Sequence, residues 1–94
     1  MREITLFYLE RCPYCVKARR ALDELCGEDP AYASVRIRWI EESRERALAD
    51  QYDYYYVPTV YYGDEKLYEA HPSEGYEDIR KNIRAALDRV RREG

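Results

Sequence analysis

The sequence predicts an α/β fold: a four-stranded mixed sheet with helices on both faces, in the order β-α-β-α-β-β-α. Three observations carry this reading. An apolar, β-rich run is followed by a stretch of helical periodicity and then by an alternating run, an order that implies two parallel strands joined by a right-handed crossover. Two more strand-like runs flank a Gly-containing turn and read as an antiparallel hairpin. The chain closes on an amphipathic helix.

Ile4-Thr5-Leu6-Phe7-Tyr8-Leu9 suits a central strand buried on both faces. Pro13 suits a first helical position, where its missing N–H removes nothing. Cys15, Ala18, Leu22, Leu25 and Cys26 then recur at helical spacing. Gly27 reads as the stop of this helix and Glu28-Asp29-Pro30 as a loop. Val35 to Ile40 alternates for most of its length, a strand with one wetter face near the sheet edge. Glu42-Ser43 caps a second helix in this reading, with Ala47, Leu48 and Tyr52 as its apolar stripe. Thr59 to Tyr62 and Lys66 to Ala70 flank Gly63-Asp64-Glu65, with Gly63 placed for positive φ. Ile79, Ile83, Ala86, Leu87 and Val90 form the stripe of the last helix, for which Ser73 and Gly75 are both N-cap candidates.

The 94 residues bound the chain to one domain, 1–94. Apolar residues at 46% and charged residues at 37% fit a globular chain rather than a disordered one. A net charge of −3 argues against nucleic acid as partner, since phosphate binding needs a basic face. Arg80, Lys81, Arg84, Arg89, Arg91 and Arg92 read as a solvated helix face with cations near the negative dipole end. No run approaches the roughly 20 apolar residues that cross a bilayer, so no membrane is expected. Ile4–Leu9 is too short for a secretory core, which leaves the cytoplasm as the expected compartment. Three cysteines, an odd number, do not make a disulfide scaffold.

The chemistry lies in Cys12-Pro13-Tyr14-Cys15, two thiols three positions apart at the mouth of the first helix. Such a pair opens and closes a disulfide within one turn of backbone. A zinc site needs four ligands, and only Cys26 and His71 remain to complete one, so redox chemistry is the preferred reading and no metal is expected. Cys26 lies about three helical turns from Cys15, ~16 Å at 1.5 Å per residue, beyond disulfide reach. It reads as a small core residue.

The tetrapeptide is similar to the active site of dithiol glutaredoxins. Leu48-Ala49-Asp50-Gln51-Tyr52-Asp53-Tyr54-Tyr55-Tyr56-Val57-Pro58-Thr59 resembles the helix-to-strand pattern of the thioredoxin superfamily. The resemblance covers nearly the whole chain and implies a thioredoxin-like fold of glutaredoxin type. It implies that Pro58 is cis and sits beside the attacking cysteine. It also places Val57, Pro58 and Thr59, with Arg11 and Tyr14, on the substrate-binding rim. Two patterns differ. Glutaredoxins commonly carry a Lys shortly before the first cysteine for a glutathione carboxylate, where this chain has Leu9-Glu10-Arg11 and Arg11 is the stand-in. Their Gly-Gly turn and following Asp, which grip the other end of glutathione, correspond here to Glu69-Ala70-His71-Pro72-Ser73-Glu74-Gly75.

The thiolate is the attacking species. Cys12, at a helix N-terminus, faces unpaired N–H groups and the positive dipole end, which stabilise S⁻, with Arg11 and Lys17 nearby. Cys15 sits one turn deeper on the core-facing stripe. The expected function is thiol–disulfide exchange on protein or glutathione-mixed disulfides, Cys12 attacking and Cys15 resolving. Two cysteines carry two electrons, so no permanently bound cofactor is expected and glutathione is a candidate co-substrate. Two alternatives stay open: a thioredoxin-type dithiol reductant fed by a flavoprotein reductase, and a [2Fe–2S] carrier bridged by two subunits with glutathione. A monomer is expected otherwise. The 11 tyrosines are the odd feature of the composition, with Tyr54-Tyr55-Tyr56 expected to divide between packing and the substrate groove.

Overall fold

The central strand β1 (Glu3–Tyr8) is buried on both faces, as its apolar run predicts. The computed structural model describes residues 3–93; Met1, Arg2 and Gly94, the ends of the expected 1–94 domain, lie outside them. The remaining elements are α1 (Pro13–Glu28), α2 (Pro30–Ala33), β2 (Arg36–Glu41), α3 (Arg46–Ala49), β3 (Thr59–Tyr62), β4 (Glu65–Glu69) and α4 (Tyr76–Glu93). The four strands lie in the order β2-β1-β3-β4, a mixed α/β sheet with β2 at an edge. β1 runs parallel to β2, with Ile4 opposite Ile37 and Tyr8 opposite Glu41. It runs antiparallel to β3, with Leu6 opposite Val60 and Phe7 opposite Thr59.

Successive strand residues face opposite sides, so the sheet sorts its side chains into two cores. Ile4, Leu6 and Val60 meet α1, α2 and α4 through Ala18, Leu22, Leu25, Tyr32, Ile79, Ile83, Leu87 and Val90. Each large aliphatic side chain taken from water there stabilises the fold by about 1.5–3 kcal/mol. Phe7, Ile40 and Tyr61 face the other side, where Ala49 of α3 and the chain from Leu48 to Val57 cover them. The Phe7 ring stacks on Tyr54 at 4.9 Å and meets Tyr52 at 4.7 Å. Helices therefore lie on both faces, with the second face covered largely by tyrosines.

Four local readings change. α1 runs through Gly27 to Glu28, closing with the Asp29 N–H on the Leu25 carbonyl. The expected loop at Asp29-Pro30 starts α2, because the Asp29 side chain accepts the Ala31 N–H at 2.9 Å and Pro30 takes a first-turn position. The second long helix shrinks to the single turn of α3, and Ser43 does not cap it. Its hydroxyl and N–H both donate to Glu41, at 2.5 and 2.7 Å, which removes the oxygen a cap needs. Between the two N-cap candidates for α4, Gly75 holds the place: its carbonyl accepts the Ile79 N–H and its N–H donates to Asp78. Gly63 does take a φ of +63°, as its turn requires.

Candidate active site around Cys12

β1 ends at Tyr8 and its chain turns through Leu9, Glu10 and Arg11 into α1, which places Cys12 as the N-cap with φ −78° and ψ 120°. The Cys12 N–H closes this turn on the Leu9 carbonyl at 3.2 Å, and its carbonyl accepts the first helical bond from Val16 at 3.0 Å. Cys12 is half-buried, and its thiol donates to the Val57 carbonyl at 3.6 Å. The Val57–Pro58 bond is cis, as the resemblance implies. Among the described residues the Val57 N–H has no hydrogen-bond partner, so an extended segment facing Cys12 is left with backbone to pair.

Cys15 is 5% exposed, on the stripe that packs into the first core. The Leu9 N–H donates to its sulfur at 3.5 Å. Burial pushes the Cys15 thiol well above the ordinary value, and the adjacent Cys12 thiol adds to the effect. All three cysteines are free thiols. Cys26 is half-buried against the first core, and its thiol is also raised by burial. No group of three or more Cys, His, Asp or Glu side chains that could hold a metal ion occurs among the described residues.

A groove of about 500 Å³ opens beside Cys12, walled by Leu9, Glu10 and Arg11 on one side and Glu41 and Arg44 on the other. Arg11 is exposed on it, whereas Arg44 pairs with Glu10 at 2.8 Å. Glu41 is 8% exposed and ties the two walls together: it accepts the Glu10 N–H at 3.2 Å besides its two bonds from Ser43. The Ser43 hydroxyl beside it holds its carboxyl below the usual range, with the two backbone donors assisting. Sequence reading missed Glu41. A charged residue ending an alternating strand reads as solvated, and only the Ser two positions on hints otherwise.

The other expected rim residues divide. Tyr14 is half-buried, with Lys17 5.7 Å over its ring, and its hydroxyl donates to the Pro72 carbonyl. Val57 is half-buried at the rim and Pro58 is buried. Thr59, expected to meet substrate, is 0% exposed, and its hydroxyl donates to the Tyr56 carbonyl at 2.5 Å. Its side chain holds the rim from behind, because odd-numbered residues of β3 face the second core. The three tyrosines also divide. Tyr54 stacks into that core and donates to Glu42 at 2.6 Å, while Tyr55 is 88% and Tyr56 50% exposed.

The stretch that follows β4 is bonded internally. The Ala70 N–H donates to the Pro58 carbonyl and the Glu74 N–H to the His71 carbonyl, both at 3.0 Å. Glu74 accepts from the His71 N–H, the Tyr68 hydroxyl and the Asn82 amide. His71 is exposed and takes its place through its backbone.

The sequence model of the glutaredoxin family matches residues 4–67. No curated protein gives a significant match. Among solved structures, a mutant thioredoxin from Halobacterium salinarum NRC-1 superposes with a TM-score of 0.56 at 19% identity, over 88% of this chain and 72% of that one. A thioredoxin-like protein from Clostridium perfringens gives 0.54 at 26% identity, over 88% and 68%.

Proposed function

The chain belongs to the glutaredoxin family of thiol–disulfide oxidoreductases, and from that membership we propose that it reduces protein disulfides with Cys12 as nucleophile and Cys15 as resolving thiol. The asymmetry of the two thiols carries this reading: Cys12 stands half-open at the helix N-cap against Val57, and Cys15 is buried behind it. Deprotonation of Cys12 ends its bond to the Val57 carbonyl and turns the sulfur into an acceptor for the unpaired N–H groups of the first turn of α1. The thiolate attacks one sulfur of the substrate disulfide, the S–S bond breaks, and the leaving sulfur takes a proton to become a thiol. Cys12 is then neutral within a mixed disulfide, so its contribution to holding the Cys15 proton disappears. Cys15 gives up that proton and attacks the Cys12 sulfur. The second substrate sulfur leaves and is protonated, and two electrons have passed from the dithiol to the substrate.

The internally bonded stretch after β4 supports protein disulfides over glutathione adducts. Where glutathione-using relatives offer a Gly-Gly turn and an Asp, the backbone donors of Ala70, His71, Glu74 and Gly75 are already taken within the chain. The test runs Cys12→Ser and Cys15→Ser in parallel assays, one fed by glutathione and glutathione reductase, the other by a thioredoxin reductase. Cys12→Ser is expected to be inactive and Cys15→Ser to accumulate a mixed disulfide visible by mass. Retained turnover of glutathione mixed disulfides by Cys15→Ser would overturn the dithiol reading.

A further inference from the structure

The backbone that faces Cys12 has apolar anchors on either side, with Tyr54 and Val57 packed on the second core and Pro58 buried, but Tyr55 and Tyr56 between them are not packed there. Tyr55 is exposed and Tyr56 half-exposed. Their N–H groups instead converge on one oxygen: Glu69 Oε2 accepts from Tyr55 at 2.7 Å and from Tyr56 at 2.8 Å. Two successive N–H groups aimed at one point form an anion-binding concavity, and here the anion comes from the chain's own β4. The other oxygen, Oε1, accepts from Lys66 at 2.7 Å, and the same ammonium donates to the Asp53 carbonyl at 3.2 Å. The Glu69 carboxylate side chain is only 15% exposed. Its burial alone would raise its pKa, but the Lys66 ammonium and the two N–H groups outweigh that and hold it ionised below the usual range. Glu69 stands opposite Thr59 in the β3–β4 register, so both ends of the segment before Pro58 are fixed by one strand pair.

We infer that Glu69 is a positioning residue for the thiol–disulfide reaction: by gripping the Tyr55 and Tyr56 N–H groups it sets where Val57 stands opposite Cys12. This rests on the reading of Cys12 as nucleophile with Val57 as its substrate-pairing backbone. Glu69 touches neither the reacting sulfurs nor the substrate. Its removal therefore weakens substrate capture and leaves the thiol chemistry intact.

The test compares wild type with Glu69→Ala, Glu69→Gln and Glu69→Asp in three measurements. These are KM and kcat for insulin disulfide reduction, the rate of Cys12 alkylation by iodoacetamide, and amide hydrogen exchange at Tyr55 and Tyr56 by NMR. Glu69→Ala is expected to raise KM about tenfold, with kcat and the alkylation rate unchanged. Exchange at the two amides should quicken on the order of a hundredfold while β1 amides stay protected. Glu69→Gln keeps an oxygen for both N–H groups and should recover most of the KM. Should alanine fail to fold, Glu69→Asp, one methylene too short to reach both donors, is expected to show the same rise in smaller measure. An unchanged KM, a parallel fall in kcat and alkylation, or unchanged exchange at Tyr55 and Tyr56 overturns the inference. If wild type reduces no disulfide, the functional reading fails, and the exchange measurement alone still decides whether Glu69 holds the segment.

Discussion

Thr59 separates stability from function in a way that two single substitutions can read. Its side chain is 0% exposed and does two things: its methyl fills the second core, and its hydroxyl donates to the Tyr56 carbonyl at 2.5 Å. Thr59→Val keeps the shape and removes the donor. A net hydrogen bond is worth about 0.5–1.5 kcal/mol, and the buried methyl that replaces the hydroxyl returns about 0.8 kcal/mol. The two terms oppose each other at similar size, so the stability change should stay within about 1 kcal/mol of zero. Thr59→Ser keeps the donor and removes a buried methyl, at about 1–1.5 kcal/mol once the void is counted. That lowers Tm by about 4–8 °C per kcal/mol in a domain of this size.

The functional order should be the reverse. Without the Tyr56 tether the segment that presents Val57 loses one of its fixed points, and losing about 1 kcal/mol of positioning raises KM about fivefold. Thr59→Ser retains the tether and should show a wild-type KM despite its lower Tm. Urea midpoints at constant m-value and insulin reduction kinetics measure the two quantities. If the valine variant keeps a wild-type KM, or if KM follows Tm in both variants, then the hydroxyl does not hold the rim.

Iodoacetamide applied to the native reduced protein should label Cys12 first. Cys15 should be protected until the chain is unfolded, since it is buried and its thiol is held in the neutral form. Peptide mass mapping showing Cys15 labelled as fast as Cys12 would contradict the assigned asymmetry. Acid should destabilise the fold in a predictable window. The Tyr76 hydroxyl holds the Glu24 carboxyl below its ordinary value, Ser43 holds Glu41 and Arg89 holds Glu65, while at Glu69 Lys66 and two N–H groups overcome burial. The folded state thus binds fewer protons than the unfolded one, so this stabilisation is complete above the ordinary carboxylate value and is lost as pH falls through the lowered ones. Urea midpoints that stay flat from pH 7 to 3 would refute it. Gly63→Ala should cost about 1 kcal/mol, because φ is +63° there and nothing lies within 4 Å to compensate by contact. A Tm equal to wild type would show that the turn relaxes instead.

What the sequence discloses about this site is its local chemistry, and what it hides is held at long range. The cis Val57–Pro58 bond beside Cys12 is legible only through the family resemblance, whereas the placement of Cys12 at a helix mouth and of Cys15 one turn inside it is legible from spacing along the chain. Gly63 is legible for the same reason, since a tight turn needs a positive φ. Glu41 and Glu69 read as surface charge, because backbone donors folded over them come from 31 residues and from 13 and 14 residues away in the chain. Those donors belong to Glu10 and to Tyr55 and Tyr56. Thr59 follows Pro58 in sequence, but the two-residue period of β3 turns its side chain inward. The second helix is a single turn because Ser43, a good cap by type, has its hydroxyl committed to Glu41.

The distance between Cys12 and Val57 is finally a property of sheet register. Cys12 rides on α1, which the first core holds, and Val57 rides on the tyrosine segment, which the second core holds. The two cores share only the sheet between them. Because β1 and β3 run antiparallel, the chain leaving β1 toward Cys12 and the chain entering β3 from Val57 meet at the same end, where Phe7 pairs with Thr59. A slip of one residue in that pairing would turn Phe7 out of its tyrosine cluster and carry Val57 away from the thiol together. The side-chain burial that specifies the register is therefore the same burial that places the Val57 backbone against the Cys12 thiol. Glu69 and Thr59, paired across β3 and β4, extend that control to the last residues before Pro58.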